Sequence, residues 1–139
     1  MKKITGFTIV ILCGMILAIC LAGCLQQRPD PEIGVKNWIS AVNNHDYNRL
    51  YDLAPREIRQ QINLQDFITA QKGNPLFNPG VSIGDYQITN RTLTGDTASL
   101  TVVLSLNMLA NGNGSPHNTG LFIRFEEVFE NGEWKVWTG

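Results

Sequence analysis

The stretch TASLTVVLSLNMLA, residues 97–110, decides the fold of this chain. Every even-numbered position in it is apolar, and most of the odd-numbered positions carry Thr, Ser or Asn. Alternation with a period of two is typical of a β-strand that buries one face. The strand is also long enough to curve, so we expect it to lie in a bent sheet that is covered on one side.

The strand before it places Tyr86 and Ile88 on one face. A two-residue turn at Gly95–Asp96 would set these side chains opposite Val103 and Ser105, off the apolar face of the next strand. A three-residue loop, residues 94–96, instead sets Ile88 opposite Val102, on the apolar face. Because register follows the buried face, the sequence favours the three-residue loop.

Two more strands follow a polar, glycine-rich loop at residues 111–119. Asn131-Gly132 is a strong signal for a tight hairpin, since both residues tolerate positive φ. This turn pairs the third strand with the last one in a register that sets Phe129 against Trp134 and position 127 against Val136. The third strand shows one apolar face, at Leu121, Ile123, Phe125 and Phe129.

Helical periodicity precedes the sheet. One apolar stripe runs from Val35 to Val42 after Asp30, which can cap a helix, and Asp46 and Asn63 are further candidate caps. Residues 73–80 then form a Gly/Pro-rich loop. Helices followed by an antiparallel meander predict an α+β fold, with N-terminal helices packed on a strongly curved, cone-like sheet of about four strands.

The N-terminus has the features of an export leader. Lys2 and Lys3 precede an uncharged, mainly apolar run over residues 4–22, which ends in Leu21-Ala22-Gly23-Cys24. This ending resembles the lipobox of prokaryotic lipoproteins, although an uncleaved membrane anchor has a similar length. We therefore predict a signal peptide at 1–23, a lipidated tether at 24–31 and one domain at 32–139, anchored outside the cytoplasmic membrane through lipid on Cys24.

The cysteine and charge content restricts the chemistry of the exported domain. Cys13 and Cys20 lie in the leader, so only Cys24 remains after cleavage, which excludes an internal disulfide, a thiol nucleophile and a cysteine metal site. The remaining chain carries nine basic and twelve acidic side chains, without a basic patch for nucleic acid. Membrane contact is therefore expected from the lipid.

The chain resembles a known superfamily in its helical and hairpin patterns. Trp38-Ile39-Ala41-Val42, Asp46-Tyr47, Leu50-Tyr51, Gly95-Asp96-Thr97-Ala98 and Asn131-Gly132-Glu133-Trp134-Lys135-Val136 carry the resemblance. It is similar to the nuclear transport factor 2-like (NTF2-like) superfamily, and within it to small prokaryotic lipoproteins of unknown function. The resemblance implies a bent sheet wrapped on helices as a cone, often with a pocket and often dimeric through the sheet. The superfamily contains isomerases and dehydratases as well as binding proteins, so fold alone assigns no function.

Glu127 is the weak catalytic candidate. The Asn131-Gly132 turn places it opposite Val136 on the apolar face, where a carboxyl group could act as an acid or base with a tyrosine such as Tyr86 or Tyr51. The alternative that we favour is a β-bulge at Glu126–Glu127 that turns the charge outward.

Several aromatic residues could line a pocket for an apolar ligand, or could simply form the core. They are Trp38, Tyr51, Tyr86, Phe125 and Trp134. His45 and His117 lack the spacing of a metal site, and we expect no metal and no cofactor. Asn90 and Asn113 match the N-glycosylation pattern weakly.

The sequence leaves three functions open. The first is a non-catalytic, membrane-anchored module that binds a small apolar ligand or an envelope protein partner. The second is an isomerase- or dehydratase-like enzyme that uses Glu127 with a tyrosine. The third is a subunit of an envelope assembly or a homodimer, with Trp137 and the outward Val103 and Leu109 on the contact face.

Overall fold

The structure is a computed structural model that describes residues 28–108 and 117–138. The leader, Cys24, Leu109 and Asn113 lie outside the described residues. No helix within the described ranges is both long and apolar enough to cross a bilayer. The elements are helices α1 (Glu32–Asn43), α2 (Tyr47–Leu53), α3 (Arg56–Gln61) and α4 (Leu64–Lys72), a 3-10 turn (Pro75–Phe77), and strands β1 (Val81–Thr94), β2 (Thr97–Met108), β3 (His117–Glu130) and β4 (Glu133–Thr138).

The helix starts agree with the caps expected from the sequence. The carboxylate of Asp30 accepts the backbone N–H of Glu32 at 2.8 Å. Asp46 accepts the N–H of Arg49 at 2.9 Å, and Asn63 caps α4 through the N–H of its third following residue. The apolar stripe of α1 is buried at Gly34, Val35, Trp38, Ala41 and Val42.

The four strands form one antiparallel sheet in the order β1-β2-β3-β4, and the helices pack on one face of it. On β2 that face is buried at every alternate position from Ala98 to Leu106. The predicted α+β architecture, with N-terminal helices on a curled four-stranded sheet, is confirmed.

The pairing of β1 with β2 is partly as expected. Ile88 does lie opposite Val102, but the turn contains only two residues, because Thr94 pairs with Thr97. The expected three-residue loop is therefore wrong. A register shift between Ile88 and Asn90 supplies the extra residue inside the strand, as a β-bulge at Thr89. The buried face is preserved by the bulge and not by a longer loop.

The last hairpin forms as the sequence predicts. Asn131 and Gly132 adopt φ values of 53° and 84°, which are the positive values that a type I′ turn requires. Phe129 consequently pairs with Trp134.

Strand β1 forms one edge of the sheet and is held from the side by α1. The side-chain amide of Asn43 donates to the carbonyl of Ile83 at 2.9 Å, and the N–H of Ile83 donates to Asn43 Oδ1 at 2.8 Å. Both backbone groups of Ile83 are thus satisfied by one side chain.

Residues 28–31, which the sequence assigns to the tether, lie against the domain in the structure. Pro31 is fully buried, and the indole of Trp134 donates to the carbonyl of Pro29 at 2.6 Å. The ordered contacts of the domain therefore begin before α1.

Candidate functional site

A cavity of about 620 Å³ opens at the end of the sheet where β1 begins and β2 ends. Most of its lining is apolar, and the polar groups are few. The apolar lining includes Trp38, Leu76, Leu106, Met108, Leu121 and Ile123.

The cavity exists because β4 is shorter than β3. The last pairing between them joins Thr138 to Phe125, so the earlier residues of β3 have no partner from β4. Among the described residues, Trp38 and the 3-10 turn, which the side chain of Asn74 caps at its start, cover this part of the sheet. Leu121 and Ile123 are consequently only half-buried, and their side chains face the open space.

Polar groups lie among the apolar lining residues. The amides of Asn74 and Asn78 and the hydroxyl of Thr138 are among them. Arg124 also lines the cavity, but its guanidinium pairs with Glu126 at 2.5 Å. A ligand with a mainly apolar body and one or two hydrogen-bonding groups fits this lining.

Trp38 also lines a second cavity of about 200 Å³, beside Leu50, Phe67 and Val136. Its ring packs edge-on against Phe125, with centroids 5.0 Å apart and an interplanar angle of 79°. This contact with a fully buried ring fixes the indole as a wall shared by the two cavities.

Glu127 points inward, toward α1. Its side chain is 4% exposed, and neither carboxyl oxygen has a hydrogen-bond partner. Burial, with a smaller contribution from Asp30 and a partial offset by Arg91, raises the pKa of Glu127 to about 8. Glu127 is therefore predominantly a protonated carboxylic acid at pH 7, with its Oε2 beside Gly34.

The expected bulge at Glu126–Glu127 is wrong. Both residues pair in unbroken register with Ser99 and Ala98 on β2, and Glu127 pairs with Val136 on β4. Because both ladders continue through this point, a bulge would have disrupted two sets of hydrogen bonds. The chain instead buries the acid in its protonated form.

The proposed tyrosine partners of Glu127 are engaged elsewhere. The hydroxyl of Tyr86 donates to Glu32 Oε1 at 2.6 Å, while that of Tyr51 bonds to the carbonyls of Arg59 and Ile62 at 3.1 and 3.0 Å. Glu127 is also not among the residues that line the large cavity. The acid–base pair that the enzyme hypothesis needs is therefore not formed.

The five aromatic residues considered as pocket lining lie in three different places: the cavity wall, the buried core and half-buried positions outside the cavity. Trp38 lines the large cavity, whereas Phe125 and Trp134 are fully buried core residues. Tyr51 and Tyr86 are half-buried outside it. Sequence reasoning missed the aliphatic lining at Leu106, Met108, Leu121 and Ile123. The signal was present in the apolar alternation of β2 and β3, which runs farther than the short last strand can cover.

Other candidate positions lie apart from the cavity. Asn90 is exposed, because the bulge at Thr89 turns it away from the face of Ile88. His45 adopts φ 52° in the turn between α1 and α2. Within residues 28–108 and 117–138, no three His, Cys, Asp or Glu side chains cluster as metal ligands would.

Of the residues that the sequence suggested for an assembly contact face, Trp137 is not fully exposed. Trp137 is half-buried and lines a surface pocket with Pro55 and Ile58. Phe122, which the sequence did not single out, is 72% exposed.

Comparison with known proteins gives one kind of match. No family model and no curated protein matches the chain. Among solved structures, it is similar to an NTF2-like protein of unknown function from Cytophaga hutchinsonii ATCC 33406, at 12% sequence identity and a TM-score of 0.39. The match covers 83% of this chain and 95% of that one. The helices and the four-stranded antiparallel sheet follow one another in the order that the sequence predicted.

Proposed function

We propose that this protein is a membrane-tethered module that holds a small, largely apolar ligand in the 620 Å³ cavity. The observation that carries the proposal is the open cavity itself, with its aliphatic lining and its rigid tryptophan wall. The lipobox-like Leu21–Cys24 segment supports the tether.

The size and lining of the cavity suit this role. Ligand sites typically enclose about 300–1,000 Å³ and combine apolar walls with a few polar groups. A ligand that buries about 300 Å² of apolar surface gains about 7 kcal/mol. Part of this gain is offset by the cost of association, so we expect affinities in the high-micromolar to millimolar range.

The proposal assigns no reaction to the cavity. Its described lining contains one charged side chain, Arg124, which is already paired with Glu126. The buried acid Glu127 lies outside that lining and lacks a hydrogen-bond partner that could relay a proton. Binding is therefore the activity that the geometry supports.

Ligand binding can be tested on residues 25–139 with the apolar dye 1-N-phenylnaphthylamine. We expect a saturable rise in fluorescence with one site per chain. Leu121→Trp fills the cavity and should weaken dye binding at least tenfold. Leu93→Trp is the matched control, because Leu93 is 53% exposed and does not line the cavity. Equal affinities of both variants, or binding without saturation, would show that the dye does not use the cavity.

The tether can be tested by mass spectrometry of the protein from bacterial membranes. The wild-type chain should lose residues 1–23 and gain acyl groups on Cys24. Cys24→Ala should remain an unprocessed precursor without lipid. Cys20→Ala, which changes a cysteine inside the leader, should be processed normally. An acylated, cleaved Cys24→Ala protein would contradict the assignment of the anchor.

A further inference from the structure

Residues 28–31, here called the strap, are held at one end of the sheet. The guanidinium of Arg28 donates to the carbonyl of Gly95 at 2.7 Å and pairs with Asp96 at 2.5 Å. It also lies 5.7 Å from the ring centroid of Phe129. Arg28 is thus bound at the β1–β2 turn.

The rest of the strap is fixed by buried contacts. The ring of Pro31 is fully buried, and the carbonyl of Pro29 accepts the indole N–H of Trp134. Asp30 pairs with Arg91 of β1 at 2.8 Å. Exposed ion pairs alone contribute little, so the proline and the tryptophan hydrogen bond hold the strap in place.

The proposed lipid lies a short distance from this point. Three residues separate Cys24 from Arg28, which makes four residue steps, and a chain spans at most about 3.6 Å per step. The acylated cysteine therefore lies within about 14 Å of Arg28, whatever path the chain takes.

The cavity lies at the opposite end of the same strands. Strand β2 runs from Thr97, beside the turn that Arg28 contacts, to Met108, which lines the cavity. Eleven steps of about 3.3 Å put Met108 about 36 Å from Thr97 along the strand, less whatever the curvature removes. On β2 and β3 the lining begins nearer the turn, at Arg124, which pairs with Thr101, and extends to Met108. The reach of the tether is much shorter than the distance to Met108.

We infer that the strap orients the domain on its membrane, with the Gly95–Asp96 turn toward the bilayer and the cavity mouth away from it. This inference rests on the lipid anchor of the proposed function. It implies that the ligand arrives from the aqueous side or from an opposing surface. The same orientation predicts that the ligand does not transfer laterally out of the bilayer that holds the anchor.

The orientation can be measured by energy transfer in the full lipidated protein. Cleavage and acylation leave no free native thiol, so a single introduced cysteine can carry a donor dye. Thr94→Cys and Ser82→Cys form a matched pair, since both positions are exposed on β1, at its turn end and its cavity end respectively. The acceptor is a rhodamine headgroup lipid in vesicles of phosphatidylcholine and phosphatidylglycerol.

We expect at least twofold higher transfer efficiency from Thr94→Cys than from Ser82→Cys. Adding Trp134→Phe together with Arg28→Gln should reduce this difference, because the strap then loses the hydrogen bond to the Pro29 carbonyl and the bond of Arg28 to the Gly95 carbonyl. Equal or reversed transfer in vesicle-bound protein would overturn the orientation and leave the anchor and the cavity proposal intact. Protein that fails to float with the vesicles would overturn the anchor and the orientation together, while dye binding to residues 25–139 would still report on the cavity.

Discussion

The inner face of the sheet is closed at one end and open at the other. At the closed end, Trp134 and Phe125 are at most 2% exposed, and α1 approaches so closely at Gly34 that an added Cβ would lie 2.8 Å from Glu127 Oε2. At the open end, Leu121 and Ile123 are only half-buried beside the cavity.

The difference follows from what covers each end. At the closed end β4 extends the sheet and the strap and the first turns of α1 lie on it, whereas among the described residues the open end is covered by the 3-10 turn and by Trp38. Residues of one continuous face therefore have separate roles. We expect the closed end to determine stability and the open end to determine binding.

Trp134→Ala should cause the largest loss of unfolding free energy and therefore gives the strongest test of the difference between the two ends. The substitution removes a fully buried ring and the hydrogen bond to the Pro29 carbonyl. Large-to-small changes of this kind cost about 4 kcal/mol of unfolding free energy. Urea denaturation monitored by far-ultraviolet circular dichroism measures the loss. A loss below about 1 kcal/mol would show that the closed end is not the stable part of the domain.

Glu127 should make stability depend on pH. Its folded pKa, about 8, lies above the ordinary value of 4.5, so the unfolded chain ionises first as pH rises. The stabilisation is present below pH 4.5 and is lost progressively up to pH 8. Between pH 5 and pH 8 the unfolding free energy should fall by about 3 kcal/mol more in the wild type than in Glu127→Gln.

The control for this pH effect is Glu126→Gln. Glu126 is the next residue on the same strand but is exposed. Its variant should keep the wild-type pH dependence in urea titrations at both pH values. If Glu127→Gln retained the wild-type slope as well, the buried acid would have to titrate normally.

Gly34→Ala should have an intermediate effect. The new methyl group would overlap with Glu127 Oε2 and Val136 Cγ2, both 2.8 Å from the Cβ position. Overpacking of this kind costs about 1–3 kcal/mol. Gly73→Ala is the comparison, because its Cβ would have an ordinary 3.5 Å contact with the Ala70 carbonyl. Thermal unfolding should show a lower midpoint for Gly34→Ala alone, and equal midpoints would argue against the close approach.

Leu121→Ala should have the smallest effect, below about 1 kcal/mol, since its side chain already borders open space. The same urea titration used for Trp134→Ala gives a direct contrast between the two ends. A loss comparable to that of Trp134→Ala would mean that the cavity is closed in solution.

The sequence predicts the fold well where a pattern has one physical meaning. Alternation over residues 97–108 indicates a strand, and Asn131-Gly132 indicates its turn; the structure confirms both. Register between β1 and β2 was also predictable, since burial requires Ile88 to face Val102. The way in which the chain reaches this register was not predictable, because a bulge at Thr89 and a longer loop produce the same pairing and leave similar sequence signals.

The site was harder to predict than the fold. Aromatic residues attract attention as pocket lining, but a ring such as Phe125 gains more by full burial in the core. The cavity depends instead on the relative lengths of β3 and β4, which is a tertiary property. Glu127 was expected to avoid burial because a buried charge is expensive, and the structure avoids that cost by protonation.

The side-chain amide of Asn43 affects whether the edge strand β1 can pair with a strand of another molecule. An edge strand offers free N–H and C=O groups to which a foreign strand can add, which is a common route to aggregation. At Ile83 the Asn43 side chain occupies both groups, and the register shift at Gly84 follows immediately. A strand from another molecule would have to displace the amide and match the irregularity. Asn43 thus protects this part of the edge from unwanted pairing, which would matter most among copies held on one membrane by the proposed lipid anchor.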